Sequence, residues 1–72
     1  MQDFDFGNRL YALRKKAGLS QAQLGEKVGL SNKAVSKWEN GQAKPGLEVV
    51  HQLADALSVS VDDLLNPTAA EK

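Results

Sequence analysis

Between Ser20 and Gly41 the chain reads SQAQLGEKVGLSNKAVSKWENG, and the punctuation of that stretch limits the fold more than any other feature. Ser20 can cap a helix, and Gln23 three residues later completes a capping box. Leu24 and Val28 lie four apart on one side of that helix. Gly29 follows as the left-handed residue that ends it, with Leu30 as the apolar residue expected to fold back on the terminus. Ser31 then caps a second helix, which runs from Asn32 to about Asn40 and stops at Gly41 by the same kind of signal. Two short helices, 21–28 and 32–40, are therefore joined by a tight glycine turn.

Placed at about 100° per residue, the second helix separates into two faces. Ala34, Val35, Trp38 and Glu39 fall on one side; Asn32, Lys33, Ser36, Lys37 and Asn40 fall on the other. Val35 and Trp38 make the first side core. The second offers amide, hydroxyl and ammonium groups, with no carboxylate over Asn32–Lys37, and suits hydrogen bonding and phosphate attraction. Gly25 supports the same reading. Glycine inside a helix costs roughly 0.5–1 kcal/mol relative to alanine, so something comes close there, and the neighbouring helix is the nearest candidate.

Composition enters through what it excludes. Seventy-two residues make one domain near the lower size limit for an unassisted core, since a chain of about 60 residues buries only about 60% of its unfolded surface. Without cysteine there is neither a disulfide framework nor a cysteine zinc site, and one histidine cannot build a metal site alone, so no cofactor is expected. No apolar run approaches the ~18 residues of a membrane span, and the acidic, aromatic N-terminus is unlike a signal peptide; the expected location is cytoplasmic. The net charge is zero but unevenly spread. Between Arg9 and Lys44 lie eight basic side chains against two acidic ones, whereas the flanks hold seven acidic against one basic. A molecule polarised in this way can approach a nucleic acid with one side and repel it with the other, although charges outside the motif are equally explained as solvating groups.

Upstream of the motif, Met1 to Phe4 carries no periodic signal. Asp5 is placed to cap a first helix in which Phe6, Leu10, Leu13 and Ala17 form the inward stripe and Gly18-Leu19 the end. Tyr11 lies off that stripe, either packed on the helix surface or within reach of a phosphate. After Gly41, the run Gln42-Ala43-Lys44-Pro45-Gly46 is too rich in turn formers to be helical. A fourth helix starts near Leu47, with Leu47, Val50, Leu53, Ala54 and Leu57 inward and His51 exposed among acidic neighbours. Ser60 caps a short fifth helix, Val61 to about Leu65, with Asp63 as its capping-box partner, and Pro67 ends it. Residues 68–72 are small, polar and expected to be disordered. No segment shows the two-residue period of a strand.

The central segment resembles the helix-turn-helix of the phage-repressor family, the Cro/cI or XRE type. The likeness rests on Gln21 opening the first helix, small Gly25, turn Gly29 and the closing run Val35-Ser36-Lys37-Trp38-Glu39-Asn40-Gly41. It extends to Arg14 before Gly18-Leu19-Ser20-Gln21, to Pro45, to Leu53-Ala54-Asp55-Ala56-Leu57 and to Val59-Ser60-Val61-Asp62-Asp63-Leu64-Leu65, so residues 6 to 65 are covered. The resemblance implies an all-α, five-helix domain over residues 1–67, with the helix-turn-helix formed by helices 2 and 3 and a tail over 68–72. It also implies a partly buried pair between Arg14 and Glu39, which satisfies the rule that charges beside a core need partners.

A helix of this diameter fits the major groove of B-DNA, where each base pair presents its own donor and acceptor pattern. Asn32 can make the bidentate contact to an adenine edge, Lys33 and Lys37 can donate to guanine O6 or N7, and Ser36 can serve a base or a phosphate. The resemblance implies base contacts from these four residues and backbone contacts from Ser20, Gln21, Arg14, Asn40 and Lys44, which hold register without carrying sequence information. Gln21 sits where unpaired N–H groups and the positive end of the helix dipole favour phosphate. Lys44 is equally read as a solvated loop lysine.

The expected partner is double-stranded DNA, bound by a homodimeric regulator, a repressor above all, on a pseudo-palindromic operator. Val59, Val61, Leu64 and Leu65 exceed what a small core can hide and are the expected dimer contacts. Neither a membrane nor a small-molecule ligand is expected. Alternative readings are an antitoxin that represses its own operon, or a protein-interaction module that keeps the helix-turn-helix core. No nucleophile–base pairing, metal-ligand cluster or phosphate-cradling glycine loop points to an enzyme.

Overall fold

Five aliphatic side chains, one from each of five helices, are withdrawn from solvent and define where the chain folds around itself. They are Leu10, Leu24, Val35, Leu53 and Leu64. In the computed structural model the helices are α1 (Gln2–Ala17), α2 (Gln21–Lys27), α3 (Asn32–Glu39), α4 (Leu47–Leu57) and α5 (Val61–Leu65). The structure describes residues 2–65, with side chains from Phe6 onward. The expected tail, 68–72, and Pro67 lie outside the described residues. Among the described residues there is no strand.

The helix ends follow the expected chemistry. The Ser20 hydroxyl accepts from the Gln23 N–H at 3.0 Å while the Gln23 side-chain oxygen accepts from the Ser20 N–H at 2.8 Å, which is the complete capping box. Ser31 caps α3 by accepting from the Ala34 N–H at 3.3 Å. Ser60 and Asp63 close a second reciprocal box at 3.1 and 3.3 Å. Gly18, Gly29 and Gly41 end the first three helices with φ of +77°, +75° and +78°, values that an L side chain rarely adopts.

Four details differ from the sequence reading. Helix α1 begins at Gln2, so Asp5 is inside it rather than its cap. Ala17 is exposed because it is the last residue of α1, and Leu19, beyond the turn, packs against the core in its place. Leu47 is 68% exposed, since the first turn of α4 extends past the core that Val50, Leu53, Ala54 and Leu57 meet. The Leu30 N–H closes the end of α2 on the Gly25 carbonyl at 2.7 Å, but its side chain stays 42% exposed.

The expected surplus of apolar groups at the C-terminal end is smaller than the sequence suggested. Leu64 is fully buried and is therefore core, not a free contact. Val59 and Val61 pack partly against that core, and Leu65 remains 52% exposed.

Candidate nucleic-acid interface

Helix α3 sits between two glycines. A Cβ on Gly25 of α2 would lie 2.9 Å from the Leu30 carbonyl oxygen and from the backbone of Ser31, the residue that caps α3. A Cβ on Gly7 of α1 would lie 2.6 Å from the Glu39 carbonyl oxygen and 2.8 Å from that of Trp38, at the other end of α3. Real Cβ atoms do not come this close to backbone, so neither position accepts a side chain without movement. The close approach expected at Gly25 is therefore made by the turn and cap leading into α3. Gly7 escaped the sequence reading, although the same rule about glycine inside a helix applied to it.

A buried polar network secures the same end of α3. Arg14 Nε donates to Glu39 Oε2 at 2.6 Å and Nη2 to Oε1 at 3.2 Å, a bidentate pair whose side chains are 8% and 5% exposed. Arg14 Nη1 donates to the Leu19 carbonyl at 2.9 Å, and Gln21 Nε2 donates to Glu39 Oε1 at 3.0 Å. The hydrogen bond that Arg14 donates to Glu39 raises the Arg14 pKa above its ordinary value, against the lowering effect of burial, so the guanidinium stays charged. Glu39 thus joins the end of α1, the start of α2 and the end of α3.

These contacts engage two side chains expected at the DNA backbone. Nε, Nη1 and Nη2 of Arg14 each donate internally and the residue is 7% exposed, so these bonds are spent on the frame. The Gln21 amide turns to Glu39, a partner that no local spacing could have disclosed because the two residues are 18 apart in sequence. Elsewhere Arg9 Nε donates to the Asp63 carbonyl at 3.0 Å and ties α1 to α5, so this basic side chain also serves the frame.

The outer face of α3 is arranged differently. Asn32, Lys33 and Lys37 are exposed, and none of their side chains hydrogen-bonds or pairs with another described residue. Ser36 is half-buried and accepts from Asn40 Nδ2 at 3.4 Å, while Asn40, which ends the helix, is exposed. Val35 and Trp38 are buried, at 0% and 6% exposure, which fixes the rotation of the helix. Lys44 is exposed in the connection to α4. Next to α3 lies an open hollow of about 730 Å³, lined in part by Arg14, Lys15, Ser20, Gln21, Gln23 and Asn32. Lys27 belongs elsewhere: it lines a separate hollow with Gln52, Asp55 and Ala56 of α4. The basic run of the sequence is therefore not all on one surface.

A match to the helix-turn-helix family model extends over residues 10–64 and takes in α2, the turn and α3. The chain belongs to that family. Repressor protein C2 of Salmonella phage P22 is 46% identical over 59 residues, which are 82% of this chain and 27% of that protein. The crystal structure of the P22 c2 repressor in complex with a synthetic operator superposes with a TM-score of 0.80 at 44% identity, covering 85% of this chain and 92% of that one. The restriction-modification controller protein C.AhdI from Aeromonas hydrophila superposes with a TM-score of 0.81 at 38% identity, over 85% of this chain and 88% of that one. The fold also occurs inside an enzyme. Hydroxypropylphosphonic acid epoxidase from S. wedmorenis superposes with a TM-score of 0.82 at 26% identity, over 90% of this chain but 35% of the epoxidase. The chain spans between 27% and 61% of the length of the first curated relatives it matches.

Proposed function

We propose that this chain is the sequence-specific double-stranded DNA-binding domain of a transcriptional regulator, a repressor by preference, which inserts α3 into the major groove. The observation that carries this reading is the outer face of α3. Asn32, Lys33 and Lys37 keep their donors and acceptors exposed while Val35 and Trp38 anchor the opposite face. In the groove, Asn32 addresses an adenine edge, the two lysines address guanine O6 and N7, and Ser36 adds one hydroxyl. Ser20, Gln21, Asn40 and Lys44 hold the phosphate backbone, with Arg14 acting through Glu39 to keep α3 at a fixed angle. Among the family members reported above, one is crystallised with its operator, and this supports the same use here. Such a regulator works where the DNA is, in the cytoplasm, and no helix of the described residues is long and apolar enough to cross a membrane.

A homodimer belongs to the same proposal. The domain measures 30 × 24 × 21 Å, and half-sites on one face of a duplex lie about 34–36 Å apart, so one copy presents its α3 to one half-site. Val59, Val61 and exposed Leu65 are the C-terminal groups available for pairing, with Leu64 withdrawn into the core.

Selection of binding sites from a random duplex library tests the reading. The wild-type chain is expected to enrich a recurring half-site, and Lys37→Ala to change the preferred base where Lys37 points, a discrimination of about 1–3 kcal/mol for a good direct contact. Enrichment of no sequence, or of the same sequence by both proteins, overturns it.

A further inference from the structure

Helix α1 carries an aromatic ring that the core leaves largely uncovered. Tyr11 is 50% exposed, and its ring lies 5.3 Å from the Arg14 guanidinium carbon and 6.0 Å from Lys15 Nζ. Both cations reach the ring because residues three and four apart share a face of a helix. The two are not equivalent. Arg14 is buried and neutralised by Glu39, whereas Lys15 is exposed and pairs with no carboxylate of the described residues. Lys15 also lines the hollow that runs past Ser20, Gln21 and Gln23 to Asn32, the first residue of the outer face of α3. The adjacent Lys16 is exposed as well, but it does not line that hollow.

We propose that Lys15, held over the Tyr11 ring, is a DNA-phosphate contact at the edge of the α3 groove, and that Tyr11 is its positioning residue. The proposal rests on the DNA-binding reading and adds a residue that neither spacing nor motif singled out. An ammonium group on a flexible stem binds phosphate as a point charge, and its reach depends on where the stem is held. The ring holds it at the rim of the hollow, where a duplex strand passing Asn32 comes within range. Arg14, sharing the same ring, keeps the aromatic face fixed on the buried network.

Two neighbouring lysines of the same chemistry make the test. Binding of a mixed-sequence duplex is measured by fluorescence anisotropy over a salt series for the wild type, Lys15→Ala, Lys16→Ala, Tyr11→Ala, Tyr11→Phe and Tyr11→Ala combined with Lys15→Ala, with thermal melts alongside. Lys15→Ala is expected to make the slope of log K against log salt shallower by about 0.9, one phosphate fewer, so that its deficit against the wild type shrinks about 3.5-fold between about 50 and about 200 mM salt. Lys16→Ala should keep the wild-type slope. Tyr11→Ala should weaken binding by less than Lys15→Ala and add nothing on top of it, and Tyr11→Phe should match the wild type, because the ring carries the contact. A slope unchanged by Lys15→Ala, or changed equally by Lys16→Ala, overturns the contact; a loss in Tyr11→Phe equal to that in Tyr11→Ala overturns the positioning role. If the wild type itself shows no salt-dependent duplex binding, the DNA-binding reading fails and this proposal with it.

Discussion

Helix α3 has polar groups on two sides, and they are spent in opposite ways. On the inner side, Glu39 accepts from Arg14 and Gln21, and Arg14 donates in addition to the Leu19 carbonyl, so the polar groups there use one another up. On the outer side, the side chains of Asn32, Lys33 and Lys37 bond to nothing within the described residues. A buried, satisfied polar cluster fixes geometry, because each member is costly to leave unpaired. An exposed, unsatisfied one fixes nothing in the free chain and is available to a ligand. The same kind of side chain therefore serves the frame at one end of the helix and stays available to a ligand on its outer face, and burial decides which.

Removing one member of the inner cluster should produce the largest effect. Glu39→Ala leaves the Arg14 charge buried without its partner, a loss of about 3–5 kcal/mol, or at least about 12 °C in Tm for a domain of this size. Replacing both partners, Arg14→Met with Glu39→Leu, removes the charge together with its partner and should cost far less. Thermal melts of the single and double variants decide the matter. Equal losses would show that the pair acts as a net attraction and not as a set of mutually dependent groups.

The inner side also depends on backbone fit. Gly7→Ala places a methyl group against the Glu39 and Trp38 carbonyls, and overpacking of this kind costs about 1–3 kcal/mol. Gly46→Ala is the milder comparison, because nothing lies within 4 Å of a Cβ there and its φ of −70° suits any residue, so that only the preference of the α4 N-cap for glycine over alanine is lost. Denaturant unfolding should separate the two variants. Similar midpoints would remove the close approach of α1 to the end of α3 from the account of how that helix is held.

Local chemistry was legible in the sequence and tertiary placement was not. Ser20 with Gln23, Ser31, Ser60 with Asp63, and the three left-handed glycines act on backbone groups within a few residues, so spacing alone locates them. The two faces of α3 were legible for the same reason, since Val35 and Trp38 sit three apart. Ala17 and Leu47 were misplaced because whether the end of an apolar stripe meets the core depends on where other helices stop. Leu64 was read as surplus because a list of apolar residues does not say how many positions five helices can bury. Gly7 announced a close approach without naming the partner, and Gln21 could be assigned to Glu39 only once the start of α2 and the end of α3 were known to meet.

The smallest expected effect comes from a residue outside both regions, and it checks that they can be separated. Ser58 ends α4 with φ +59° and ψ +40°, a left-handed conformation that glycine supplies at the ends of α1, α2 and α3. Holding a non-glycine residue there costs about 1–2 kcal/mol. Ser58→Gly relieves that cost but gives the unfolded chain more freedom, which takes back about 0.4–1 kcal/mol. The net gain should be about 0.8 kcal/mol, or about 3–6 °C in Tm. Ser58 is exposed and belongs to neither side of α3, so duplex affinity measured well below the melt should not move. A gain in Tm accompanied by a change in affinity would mean that the end of α4 also sets the angle of α3, and the division between a frame that orients the helix and a face that reads would have to be redrawn to include it.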